Sequence, residues 1–140
     1  VGQITDAWNI SAGVAHMNVK QLNQRTATAT TVAERWSPEW TASLWSTYDI
    51  SGFKLGLGAR YVDEQKRVVT TDTAPAQMPG IPGYVVFDAM AGYTINKNAS
   101  VNLNVYNLAD KDYISTLNNG GGRVVLGQPR SAALTFNYKF

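Results

Sequence analysis

The chain has 140 residues, with 12 basic and 10 acidic side chains, 44% hydrophobic residues and no cysteine. That length allows one domain with one sizeable core. A net charge of +2 is too small to point to nucleic acid, and the lack of thiols removes disulfide frameworks and thiolate metal sites.

The opening VGQITDAW has neither a Met nor a charged-then-apolar leader, so it reads as a mature product or a piece of something larger. No apolar run approaches the roughly 18 residues of a membrane helix. Period-two alternation, the mark of two-faced strands, dominates from there on. The first predicted strand covers residues 8–19, with Trp8, Ile10, Ala12 and Val14 on one face. The second covers 40–50, grouping Ala42, Leu44, Ser46, Tyr48 and Ile50. In the third, 53–62, Phe53, Leu55, Leu57, Ala59 and Tyr61 oppose Lys54, Gly56, Gly58 and Arg60. The fourth, 84–95, sets Val85, Phe87, Ala89, Ala91, Tyr93 and Ile95 against Asp88, Met90, Gly92 and Thr94. The fifth runs from Ser100 to about Tyr113, and the last is the terminal SAALTFNYKF. Residues 49–52 and 96–99 are tight turns, whereas 20–39, 63–83 and 114–129 are long polar loops.

Short turns at one end and long loops at the other describe an antiparallel up-and-down transmembrane β-barrel. Trp8, Tyr48, Phe53, Tyr93, Tyr138 and Phe140 all fall at the turn end, and Trp40, Tyr61, Phe87 and Tyr113 toward the loop end. Two aromatic girdles around an aliphatic band suit a bilayer. About 10 residues at ~3.3 Å each, tilted by ~45°, span its apolar band of roughly 25 Å. The opposite face carries Lys54, Arg60, Asp88, Asn102, Asn104, Asn137 and Lys139, as a lumen would.

Three stretches carry a family likeness: MPGIPGYVVFDAMAGYTINKN, VNLNVYNLADKDY and NNGGGRVVLGQPRSAALTFNYKF. In order and spacing they resemble the C-terminal barrel strands of TonB-dependent siderophore receptors. There a Pro-Gly-Tyr opens a strand bearing Asp-Ala, an Asn-Val-x-Asn-Leu-x-Asp-Lys-x-Tyr strand follows, and a Gly-x-Pro-Arg-Ser loop leads to a strand ending in Phe. The corresponding residues here are Pro82–Tyr84 with Asp88-Ala89, Asn104 to Tyr113, and Gly127 to Ser131 with Phe140. SLWSTYDI and ITDAWNISAG share the likeness, and LNNGGGRVVLGQPRS looks most like the branch taking up ferric catecholates. Ala109 departs from the Phe common in the family.

The resemblance implies about six C-terminal strands of a 22-stranded, plugged outer-membrane barrel of a Gram-negative cell. Residues 1–140 would be the C-terminal part of that barrel, without the plug. Its implied partners are a ferric siderophore, outer-membrane lipid, TonB through the missing N-terminal part, and the outer-membrane assembly machinery. That machinery would read Phe136, Tyr138 and Phe140 on the last strand. No nucleic acid, catalytic residue, resident cofactor or protein-held metal is expected, since iron would arrive already chelated. Arg35, Trp36, Arg67, Asn118, Asn119 and Arg123 lie in the long loops, where guanidinium and indole groups suit an anionic aromatic chelate. Each alone also fits a solvated loop.

Other residues carry quieter expectations. Arg60 and Asp88 are expected to form a structural pair inside the lumen. Asp110-Lys111 reads as a bulge with local hydrogen bonds, the lone His16 as a rim residue, and the glycines at 56–58 as relief of crowding or an aid to curvature. Arg130 faces outward by parity, or inward if a bulge intervenes. Two other functions remain open: a small complete outer-membrane barrel with a structural or adhesive role, and a soluble β-sheet binding protein with the apolar face as core.

Overall fold

The computed structural model describes residues 1–26, 29–34, 37–66, 68–70, 75–77, 79–118 and 122–140. Seven strands form one antiparallel meander: β1 (Gly2–Thr5), β2 (Trp8–His16), β5 (Trp40–Ile50), β6 (Phe53–Val62), β9 (Tyr84–Thr94), β10 (Ala99–Tyr106) and β13 (Ser131–Tyr138). Six occupy the segments expected from alternation; β1 is an addition. The fifth is shorter than expected, ending at Tyr106 rather than near Tyr113. The long connections also differ from plain loops. They hold β3 (Lys20–Thr26), β4 (Ala29–Glu34), β7 (Val68–Thr70) and β8 (Pro75–Gln77) in a four-stranded sheet, and a hairpin of β11 (Ile114–Leu117) and β12 (Val124–Leu126).

The short turns have local causes. Ile50 pairs with Phe53, leaving a two-residue loop in which Ser51 and Gly52 have φ of 48° and 84°. Two successive positive φ values are what a twisted hairpin requires, and glycine meets that need without strain. At the next turn, the Asn96 side-chain oxygen accepts the N–H groups of Asn98 and Ala99, both at 2.9 Å. Asn98 then donates through Nδ2 to the Lys139 carbonyl at 2.7 Å, tying the last strand to this turn.

Register keeps the two faces pure across the sheet. Ala12 pairs with Leu44, Leu44 with Ala59, Ala59 with Phe87, and Leu103 with both Ala91 and Leu134. Since a one-residue slip would invert a strand, this continuity fixes an apolar and a polar surface. The polar surface is the concave one: Val86 on it is 1% exposed, against 40% and 42% for its neighbours Val85 and Phe87.

No second layer covers the apolar surface among the described residues. Among the described residues the buried hydrophobics are Ile81, Val86, Ala99 and Leu117, while Leu57, Leu134 and Phe136 stand out 55%, 73% and 62% exposed. The accessible surface is 9937 Å², against about 7,100 Å² for a compact soluble chain of this mass. An apolar sheet face of this extent needs an apolar environment outside the chain, and the girdles identify it. At the turn end Phe53 and Tyr93 lie with ring centroids 4.4 Å apart, and Tyr138 meets Phe140 edge-on at 5.2 Å. Trp8 donates its indole N–H to Ser46 Oγ at 2.8 Å. Toward the loop end His16 stacks on Trp40 at 4.3 Å, the rim position expected of it.

On the concave side Trp45 lies across Gly56 and Gly58. A Cβ on Gly56 would stand 2.8 Å from Trp45 Cζ2, and one on Gly58 would overlap the ring. The glycines therefore relieve crowding. Gly58→Ala is expected to cost roughly 1–3 kcal/mol by overpacking. Adding Trp45→Leu should abolish most of that cost, which a double-mutant denaturant titration will read.

Candidate functional site

At the loop end β2, β6 and β10 leave the wall for the three long connections. The organising residue of this end is Asn107, just beyond β10. It is 3% exposed and has a φ of 51°, a left-handed conformation that asparagine tolerates better than most side chains. Its backbone N–H donates to Asp88 Oδ1 at 2.9 Å. Its side-chain Nδ2 donates to the carbonyls of Lys111 and Gln128, both at 2.9 Å, and its Oδ1 accepts the Lys111 N–H at 2.8 Å. One asparagine thus joins β9, the turn after β10 and the segment leading into β13. Asp110, with a φ of 53°, extends the clamp: its Oδ1 accepts the Arg130 N–H at 3.0 Å, and its Oδ2 lies 3.6 Å from the guanidinium.

These contacts replace two expectations. Arg60 and Asp88 do share the concave face, but Arg60 pairs across from Val86 and Asp88 from Gly58, a diagonal relation. Among the described residues the ion pairs do not include them. A diagonal offset is longer than a direct one, and the Asn107 N–H supplies a nearer donor for the carboxylate. Asp110-Lys111 forms a turn closed by side-chain hydrogen bonds rather than a bulge within the strand. Arg130, undecided by parity, is held to Asp110.

Beyond the clamp, Tyr113 lies against Tyr84 with ring centroids 4.2 Å apart. Tyr84 shares the parity of Val86 and Asp88, so Tyr113 belongs to the concave side and not to the outer girdle where alternation had put it. Its ring covers Gly127, where a Cβ would overlap it, and Gly127 N–H donates to the Tyr113 carbonyl at 2.7 Å. A groove of about 340 Å³ opens here. Of the loop residues expected to face ligand, Asn118 and Arg123 come together. Asn118 Oδ1 accepts the Arg123 N–H at 2.9 Å, closing the β11–β12 hairpin and leaving the exposed Arg123 side chain outside that bond. Arg35, Trp36, Arg67 and Asn119 lie outside the described residues. Lys111 was expected only as part of a bulge, and Asn107, Tyr84 and Gly127 carried no expectation of their own at this site. Their only signal was membership in recurrent Asn-Leu-x-Asp-Lys, Pro-Gly-Tyr and Gly-x-Pro motifs.

Residues 2–108 match the family described as TonB dependent receptor-like, beta-barrel. The chain belongs to the TonB-dependent receptor β-barrel family. These receptor strands are wall of an outer-membrane barrel, which explains the uncovered apolar face and makes the loop end extracellular. The chain is 35% identical over 141 residues to the catecholate siderophore receptor Fiu of Escherichia coli (strain K12), covering 99% of this chain and 18% of that relative. It is also 35% identical over 150 residues to the probable TonB-dependent siderophore receptor PiuA of Acinetobacter baumannii, covering 99% and 19%. The crystal structure of the ferric-catecholate import receptor Fiu from K12 E. coli in its closed form superposes with a TM-score of 0.77 at 34% identity, covering 99% of this chain and 20% of that one. The barrel segment therefore spans about a fifth of the length of these relatives. The ferripyoverdine receptor of Pseudomonas aeruginosa, at 23% identity and a TM-score of 0.74, shares the fold.

Proposed function

We propose that residues 1–140 form the C-terminal part of the barrel wall, with ligand-facing extracellular loops, of a receptor that imports a ferric siderophore of catecholate type. Energy would come through TonB, engaged by parts of the receptor outside this segment together with the plug. Iron is carried as the chelate and takes no protein ligand. What supports this reading most is the 35% identity to a catecholate siderophore receptor over a match that covers 99% of this chain. The terminal strand has a second role in the proposal. Phe136 and Tyr138 lie on the outer face beside Val101 and Ala99, and with Phe140 they offer an aromatic signal to the assembly machinery. A complete small barrel suits the geometry less well, because β1 and β13 are the two edges of the sheet and do not pair with each other.

The test is iron-55 uptake by Gram-negative cells lacking their own ferric-catecholate receptors and expressing the full-length receptor. Uptake from an Fe(III)–catecholate chelate, abolished by a protonophore, is expected to exceed that from a ferric hydroxamate. Uptake equal to that of the empty vector, or equal for both chelates, would refute the catecholate reading.

A further inference from the structure

We propose that the groove beside Tyr84 and Tyr113 seats one planar oxygenated aromatic ring of the chelate, a single catechol-type arm rather than the whole ferric complex. The proposal rests on the siderophore reading above and names a subsite within it. The groove, about 340 Å³, is lined by Pro82, Tyr84, Lys111, Tyr113, Ile114 and Leu126. That volume stands at the lower end of the range of about 300–1,000 Å³ for small-molecule sites, which suits one arm.

The lining decides the chemistry. Tyr113 has Tyr84 on one face and Gly127 on the other, so an entering ring meets its edge and the uncovered face of Tyr84. Pro82, Ile114 and Leu126 complete an apolar lining in which edge-to-face and offset contacts are favoured. Lys111 brings one cation, and Asp112, also at the groove, one carboxylate. That pairing disfavours a compact anion such as phosphate. It suits a ring whose oxygens already bind Fe(III), so that its charge is dispersed. Parity settles the location: Tyr84 lies on the concave side, away from lipid, at the extracellular end of β9.

The groove is also preorganised. Asn107 holds the Lys111 backbone from both sides, through its N–H at 2.8 Å and its carbonyl at 2.9 Å. Two residues later the Tyr113 ring is laid over Gly127, whose N–H bonds to the Tyr113 carbonyl at 2.7 Å. A slot built before ligand arrives avoids much of the ordering cost of binding.

The test is equilibrium binding of Fe(III)–catechol to the purified full-length receptor, with a ferric trihydroxamate as the ring-free comparison. Tyr84→Leu and Tyr113→Leu keep an apolar lining and remove the aromatic rings, and each is expected to weaken Fe(III)–catechol binding about three- to tenfold. Gly127→Ala keeps every ring but displaces Tyr113, and should match Tyr113→Leu. Lys111→Ala leaves the backbone bonds to Asn107 in place and should weaken binding several-fold through charge alone. It changes an exposed side chain, so it keeps the test decisive if a tyrosine variant fails to assemble. Trihydroxamate binding should not change in any variant. If the parent binds Fe(III)–catechol and these variants bind it equally well, the groove is refuted and the import reading stands. If the parent does not bind Fe(III)–catechol, the catecholate reading falls and the groove with it.

Discussion

Asn107→Ala is expected to destabilise the extracellular end of this barrel segment by about 2–4 kcal/mol, although the residue does not itself line the proposed groove. Three bonds go at once: those to the Lys111 N–H, the Lys111 carbonyl and the Gln128 carbonyl. Leaving partly buried backbone groups without partners costs about 1–3 kcal/mol each where water does not replace them. Alanine also tolerates the φ of 51° poorly. Two companions separate the causes. Asn107→Gly relieves the backbone and should recover about 1 kcal/mol. Asn107→Asp keeps an acceptor for Lys111 N–H but loses both Nδ2 donations and sets a negative charge beside two carbonyls, so it should be at least as harmful as alanine. Amide hydrogen exchange should localise the loss, with the Lys111 N–H exchanging faster and the β6–β9 ladder unchanged. An alanine variant within ~0.5 kcal/mol of the parent would show that Asn107 does not hold the clamp.

What could be read from sequence was what depends on alternation. Residues 40–50 and 53–62 carry most of their apolar side chains at every second position, Trp45 being the main exception, and the register aligns those positions strand by strand. The turn at Ser51-Gly52 was legible because its cause is local. The misses have the opposite character. β1 is four residues, GQIT, too short to show a period; the Thr5 hydroxyl accepts the Trp8 N–H at 3.1 Å and helps to set its return into β2. Polar stretches such as the β3–β4 hairpin gain order by pairing backbone groups, and no hydrophobic pattern announces that. The fifth strand was carried too far because Asn107 leaves the strand only to meet Asp88, Lys111 and Gln128. Those partners are far apart in sequence, and one of them, Asp88, has in Arg60 an opposite charge on the same face that alternation alone makes the expected partner. The structure instead gives the carboxylate to a backbone N–H held nearby by a turn. Much of the proposed site is tertiary in this same sense. Alternation alone puts Tyr113 in the girdle, and its contacts with Tyr84 and Gly127 put it on the concave side.

Leu103→Arg and Asn104→Arg put the same charge at adjacent positions of β10 and are expected to differ sharply. Leu103 faces outward, paired with Ala91 and Leu134 near the middle of the apolar band; Asn104 faces the concave side, between Met90 and Ala133. In segments folded into bilayers, arginine at Leu103 should cost about 2–4 kcal/mol, the charge penalty at the midplane of a barrel wall. At Asn104 the guanidinium stays in the lumen and the change should remain within ~1 kcal/mol. A protein core would also reject arginine at Leu103, so depth supplies the second criterion. Ile50 shares the outer face but ends β5 beside the two-residue turn, where it pairs with Phe53. Ile50→Arg should therefore cost only about 0–1 kcal/mol, because the side chain reaches the interface and the penalty fades there. Hydrocarbon produces a gradient that follows height along the strand, whereas protein packing produces costs that follow the neighbours of each site. Equal penalties at Leu103 and Ile50, or at Leu103 and Asn104, would mean that something other than lipid covers this face.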